Sequence, residues 1–284
     1  LPIFWNIGGE GQIIMGAFLA SFVALHFSNL PQIVLLSAMA IAGVIGGGLW
    51  AFIPAYFKSK FGTNETITTL MMNYIAISFV TYLQYDLWKD PSEMGFPKIK
   101  NFTDNAILPK VLGIHAGWII AIILVILMYM FMEYTKKGYE ISVLGESEKT
   151  AKYAGINIKK TILGAIFLSG GLCGLVGMIQ ASAINNTLSV EVAGGVGYTA
   201  IIVTWLASLS APLILLVSIL FAALLQGGAY IQTAFGIPDA AALVIQGTIL
   251  FFVLGSEFFT KYKVQFSNNK KVNEKKNKQV AKEV

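Results

Sequence analysis

Charge is scarce in this chain of 284 residues: Asp, Glu and Lys make up 12% of it, about half the roughly 25% of a soluble domain. So little charge cannot cover a water-facing surface of this size, which excludes a soluble enzyme and a disordered chain. Arginine is missing altogether, and all 20 basic residues are lysine, which reads as coding bias rather than mechanism. The one cysteine, Cys173, sits in an apolar run, so neither a disulfide framework nor a thiolate metal cluster is available. Two histidines, His26 and His115, lie far apart and supply neither a zinc site nor a histidine-based catalytic group. No metal site and no cofactor is expected.

What the chain does hold is apolar length. It is 56% hydrophobic with a mean hydropathy of +0.69. No charged residue occurs between Glu10 and Lys58, Glu65 and Asp86, Lys110 and Glu133, Lys160 and Glu191, Glu191 and Asp239, or Asp239 and Glu257. Each window fits one or two stretches of about 20 apolar residues, the length that crosses a hydrocarbon core of about 30 Å. The fold class that follows is all-α, a polytopic transmembrane helix bundle of about eight spans. They fall at about 11–27, 32–53 (ending at Pro54), 66–83, 115–132, 162–182, 198–209, 212–226 and 242–259. The stretch 198–209 is too short to cross alone at about 1.5 Å per residue, and reads as a half-helix or re-entrant segment. Residues 1–259 form one membrane domain, and 260–284 a lysine-rich tail expected to be disordered. Gly43-x-x-x-Gly47 and Gly170-x-x-x-Gly174 have the small-residue spacing of closely packed membrane helices, a hinge being the sharper alternative.

Lysine sets the orientation, because cytoplasmic loops hold the excess. The tail carries eight lysines and the polar loop 133–161 carries six. Counting 198–209 as one crossing, four spans separate them, and both then read as cytoplasmic. The loop around Lys58 and Lys60 then lies inside, and the charge-balanced stretch 84–113 outside. The pI near 9.1 reflects this distribution and not nucleic-acid binding.

Polar residues within spans are the candidates for a cargo path, since leaving them in lipid is costly. Asn73, Gln180, Gln226 and Gln246 offer amide donors and acceptors that suit a purine edge or ribose hydroxyls; bonding one helix to the next is the plainer use of each. Trp205 and Tyr198 are able to stack on a base, although packing or interface anchoring explains Trp205 and Trp50 as well. Glu10, among Gly8, Gly9 and Gly11, implies backbone that is not plain helix. At membrane depth its carboxylate costs about 2.5–3.5 kcal/mol and demands a partner; at the surface it is only a loop charge. Asp239 reads as a cap on the last span.

Within 133–161, Ser147 is placed to N-cap a helix, Glu148 suits its first turn, Glu148 and Lys152 stand at i,i+4, and Gly155 is placed to end it in the left-handed conformation. A two-turn helix over 147–154 follows, exposed on the cytoplasmic side. The pattern Gly138-Tyr139-Glu140, Gly145-Glu146, Ala151-x-x-Ala154-Gly155-Ile156 resembles the cytoplasmic coupling segment of ABC importer permeases of the branched-chain amino acid, ribose and nucleoside class. Asn6-Ile7-Gly8-Gly9-Glu10-Gly11-Gln12 resembles the start of an early helix in the simple-sugar and nucleoside subgroup. Asn64-Glu65-Thr66-Ile67-Thr68-Thr69-Leu70-Met71-Met72-Asn73-Tyr74-Ile75-Ala76 resembles the third-helix signature of its nucleoside permeases.

The resemblance, which runs to about residue 259, implies a permease subunit of an ATP-driven importer working by alternating access in a bacterial cell membrane. The expected cargo is a nucleoside, most readily a purine nucleoside, with a simple sugar such as ribose or galactose as the alternative. A secondary transporter fits less well, as every carboxylate near a span sits near its end. The implied partners are cytoplasmic ABC ATPase subunits, a second permease chain (a different one), an extracytoplasmic substrate-binding lipoprotein and membrane lipid. Gly145, Glu146, Ala151, Ala154 and Gly155 would carry ATPase coupling. Asn6, Glu10, Asn73, Gln180, Trp205 and Gln246 would line the cargo path. The resemblance also implies sequence before Asn6. The chain is not expected to hydrolyse ATP: Gly145-Glu146-Ser147-Glu148-Lys149-Thr150 ends in Lys-Thr, but Glu148 stands where a phosphate-binding loop needs its second glycine.

Overall fold

The computed structural model describes residues 4–91, 95, 97–236, 238 and 240–261. Ten α-helices occur among them: α1 Gly9–His26, α2 Gln32–Phe61, α3 Glu65–Tyr82, α4 Gly117–Tyr134, α5 Lys136–Glu146, α6 Glu148–Tyr153, α7 Ile158–Ile179, α8 Val196–Leu206, α9 Ala211–Phe235 and α10 Ala240–Lys261. The last turns of α3 and α7 widen into π-helix over Leu83–Leu87 and Gln180–Asn185. Five helices, Gln32–Phe61, Glu65–Leu87, Gly117–Tyr134, Ile158–Asn185 and Ala211–Phe235, are long and apolar enough to cross a membrane. Among the described residues strand is confined to a hairpin of two-residue strands, β1 Lys110–Val111 with β2 Ile114–His115, and one isolated bridge, Lys89 with Ile99. This is a polytopic helix bundle. The expected tail and Asp239 lie outside the described residues, as do the side chains of Gln246 and Glu257.

Two compact units divide the chain, residues 1–218 and 219–284. In the first, α1, α2 and α7 pack directly on one another. Glycine makes this possible, because lipid offers no hydrophobic drive between helices and close backbone approach has to replace it. The two glycine motifs meet each other: a methyl at Gly47 would strike the backbone of Gly170 and Gly174, and one at Gly174 the carbonyl of Gly43. On its other side Gly16 abuts Gly174, and Gly177 abuts the carbonyl of Ile13. Thus Gly174 is wedged between α1 and α2. Two loops close one end of this unit, where Thr187 donates to the Ile99 carbonyl (2.8 Å), Ser182 to that of Ala106 (2.6 Å), and the Phe102 N–H to that of Asn186 (2.8 Å).

The second unit holds the rest of α9 and α10.

Several expectations need correcting. Pro54 does not end its span; α2 runs on to Phe61, with Pro54 buried and Ala51 and Ala55 packed with Ile166 of α7. Tertiary packing outweighs the lost backbone hydrogen bond. The helix stops instead at Gly62, φ +67°, whose N–H bonds the Lys58 carbonyl. The helix after Pro212 passes through Gly227 and Gly228 to Phe235. Around Glu10 the backbone is regular helix, Gly8 being the N-cap. Residues 136–146 form a helix that was not expected. The Glu148–Lys152 pair does not form; the ion pairs among the described residues are Lys58–Glu65 and Lys137–Glu140.

Candidate functional site

Two sites emerge. The first is a polar knot where the start of α1 meets α3 and α8. Helix α8 begins at Gly195, φ +80°, which has no side chain with which to cap its own first turn. The cap comes from α1, whose residue 10 lies 185 positions earlier in sequence. The Gly195 N–H donates to Glu10 Oε1 (2.8 Å) and the Gly197 N–H to Oε2 (2.9 Å). A carboxylate on a helix N-terminus satisfies orphan donors and opposes the positive end of the dipole. Both oxygens are used, and Glu10 is only 6% exposed, so the buried charge has the partner it demands. Gly197 has to be glycine, since a methyl there would strike the Glu10 backbone.

Asn73 ties in the third helix. Fully buried on α3, its Oδ1 accepts from the Gly11 N–H (2.9 Å), while Nδ2 donates to the Ile7 carbonyl (3.0 Å) and the Tyr198 hydroxyl (3.1 Å). Asn6 and Gln12 bond through both amides, and Asn6 Oδ1 also accepts from the Gly8 N–H. Trp5 stacks on Trp205 of α8, ring centroids 5.5 Å apart. The indole N–H of Trp50 is buried beside Gly11 without a partner among the described residues.

Of the expected cargo-path residues, then, Asn6, Glu10 and Asn73 come together, and Trp205 stacks on the residue preceding Asn6. Their polar atoms bond protein rather than a cavity. Gln180 opens the π-turn at the end of α7 and joins no described part of this knot. Gln12 and Tyr198 complete the network. Gln12 was legible only as part of its motif, and Tyr198 only as an aromatic.

The second site is the surface formed by α5 and α6. Thr135 Oγ1 caps α5 by accepting from the Gly138 N–H (3.0 Å), and Ser147 Oγ caps α6 by accepting from the Thr150 N–H (3.3 Å). At the far end, Ala154 is the C-cap and Gly155 takes φ +72°. The Ile156 N–H bonds the Ala151 carbonyl and the Gly155 N–H that of Lys152, the double closure of a Schellman turn. Ala151 is fully buried and seats the helix, while Ala154 and Gly155 turn the chain. Gly145 and Glu146 stand exposed where α5 ends, with nothing within 4 Å of a methyl built at Gly145. Tyr153 projects at 93% exposure and Tyr139 at 64%. Both aromatics belong to the presented surface; Tyr139 lay within the quoted motif, and nothing in the sequence distinguished Tyr153 from a turn residue.

A family model described as branched-chain amino acid transport system / permease component matches residues 4–254. The glucose ABC transporter permease of Haloferax volcanii is 32% identical, the match covering 95% of this chain and 74% of that one. The guanosine ABC transporter permease of Bacillus subtilis is 28% identical over 89% of this chain and 74% of its own. The nucleoside ABC transporter permease of Lactococcus lactis is 29% identical over 88% and 71%. No solved structure matches at a significant level.

Proposed function

The chain belongs to the permease family of ABC transporters that serves branched-chain amino acids, sugars and nucleosides, and from that premise we propose that it is the membrane subunit of an importer for a neutral nucleoside, with purine nucleosides the leading candidates. The observation that carries the cargo's neutrality is Glu10 on α8. A helix N-terminus is a ready anion site, and at α8 the chain's own carboxylate fills it. No lysine lies between Glu10 and Lys58 or between Glu65 and Asp86 to replace it as an anion partner. A carboxylate or phosphate on the cargo would therefore find these N–H donors already taken by Glu10. Nucleosides and simple sugars carry neither group. The sugar reading keeps its place because the 32% identical relative is a glucose permease.

ATP hydrolysis belongs to separate cytoplasmic subunits in this reading. They grip the surface of α5 and α6, a second permease chain completes the pathway, and an extracytoplasmic binding protein delivers cargo. The lysine distribution supports placing 133–161 and the tail on the cytoplasmic side. Gly145 and Glu146 are the coupling contacts, because both are exposed and neither holds the fold. Gly145→Val and Glu146→Lys should leave membrane accumulation at the wild-type level while uptake falls at least tenfold and hydrolysis by the assembled transporter continues. Wild-type uptake by both variants would remove the coupling assignment. The cargo is tested by uptake of labelled guanosine, adenosine, ribose, galactose and glucose in a strain lacking this chain; complementation should restore guanosine or adenosine uptake. Restoration of sugar uptake alone would select the second reading.

A further inference from the structure

Residues 186–195, between the π-turn that ends α7 and the start of α8, cross part of the bundle without forming helix. Their depth is measured against α3, whose membrane-long segment Glu65–Leu87 is roughly 33 Å at 1.5 Å per residue. At one end the Gly195 N–H bonds Glu10, and the neighbouring Gly11 N–H bonds Asn73, about 12 Å into that segment. At the other end Thr187 donates to the Ile99 carbonyl while Gln84 Nε2 donates to that of Pro97 (2.8 Å), which places Thr187 near Gln84, about 28 Å along. Glu191 stands four residues from each anchor. Four residues reach at most about 14 Å, so Glu191 lies between roughly 14 and 26 Å along α3, away from both ends.

Non-helical backbone is tolerated at membrane depth only where it is buried in protein or lines a water-filled cavity. One side of this segment meets the first condition: Leu188, Val192 and Ala193 are buried in the core shared with α1, α2 and α3. The other side leaves only the second. Glu191 and Gly194 are exposed, and Tyr198 at the start of α8 is 38% exposed. Unlike Glu10, whose two oxygens are both taken, Glu191 has no hydrogen bond or ion pair for its carboxylate among the described residues. A charged side chain within a membrane segment faces the bundle interior or a water-filled cavity, not hydrocarbon. Irregular backbone and an unpaired carboxylate thus exclude lipid on separate grounds. Asn6 and Asn73 spend their polar atoms on protein; Glu191 keeps both of its oxygens for what enters the water.

We infer that Glu191 lines the translocation path and binds the 2′,3′-diol of a nucleoside's ribose. An ionised carboxylate is an acceptor only, with two oxygens side by side. The diol offers two adjacent O–H donors, so each hydroxyl donates to one oxygen. Hydrogen bonds to a charged group are the strong ones, and the same charge repels an anionic cargo. This rests on the nucleoside reading above and adds to it a residue outside the knot and the part of the cargo that it holds.

The test uses the full transporter and measures uptake of guanosine beside 2′-deoxyguanosine, which lacks one of the two hydroxyls. In the wild type the deoxy cargo should show a KM about tenfold higher. Glu191→Ala should raise the guanosine KM about tenfold and move that of 2′-deoxyguanosine by no more than about twofold. Glu191→Gln, which keeps the shape and loses the charge, should show the same pattern in smaller measure. An equal rise for both cargoes, or no rise, overturns the diol contact. Exposure to the path is read separately: Glu191→Cys in a Cys173→Ala background, Cys173 being the one native cysteine, should react with a charged, membrane-impermeant thiol reagent. Guanosine at about four times its Kd should slow that reaction about fivefold. No reaction, in protein that accumulates normally, sets residue 191 against lipid or a second chain and overturns the proposal. If the wild-type transporter moves no nucleoside, the functional reading fails and the diol contact with it, while the cysteine reaction still decides the path position. If it moves guanosine and 2′-deoxyguanosine alike, only the diol contact fails.

Discussion

Gly174→Leu is expected to abolish accumulation of the folded permease. A residue at 174 faces the Gly43 carbonyl and the Gly47 backbone on α2, with Gly16 of α1 abutting on the other side. These are backbone atoms, so no rotamer change makes room. Overpacking a well-packed core typically costs about 1–3 kcal/mol and sometimes more; separating three helices that rely on close approach for their cohesion lies at or beyond the upper end. Gly145→Leu is the matched control, because nothing lies within 4 Å of a methyl at Gly145. Membrane-fraction immunoblots and thermal unfolding in detergent read both variants. Normal accumulation and an unchanged melting temperature for Gly174→Leu would show that the three helices do not meet through this glycine.

Glu10→Ala should cost about 3 kcal/mol, since it leaves the Gly195 and Gly197 N–H groups without the charged acceptor they share. Uptake should fall with it, because α8 loses the only cap described at its start. The graded variants carry the sharper information. Glu10→Gln keeps one acceptor oxygen but turns an NH2 group toward a second N–H donor, and should recover less than half of the lost stability. Glu10→Asp keeps the charge but falls short by one methylene, and should recover one hydrogen bond. A Gln variant as stable as wild type would show that Glu10 acts as a polar filler and not as a helix cap. Detergent melting temperature together with guanosine uptake separates a stability effect from a transport effect.

The helices were legible because lipid imposes length and the charge-free windows mark it. All eight expected spans have a helical counterpart, and the half-helix over 198–209 is the eleven-residue α8. Glycine spacing revealed that helices approach closely, but not that the two motifs find each other. Pro54 misled because a local rule yields to packing against α7. Helix α5 was missed because its sequence is polar and carries Gly138 and Gly145, residues that propensity counts against a helix; Gly138 is there because a methyl would strike the Phe131 and Met132 carbonyls. Of the knot, sequence showed only that Glu10 would require a partner if it lay at membrane depth, while the partner's position 185 residues away is set by topology and by no local signal.

The central claim is that a separate ATPase, working through α5 and α6, drives a neutral nucleoside through this bundle. Initial uptake of labelled guanosine should be compared in cells with and without the chain, once after ATP depletion with arsenate and once after collapse of the proton gradient with an ionophore while ATP is held constant. The account predicts chain-dependent uptake that arsenate abolishes and the ionophore spares; uptake that persists without ATP and vanishes with the gradient would contradict it.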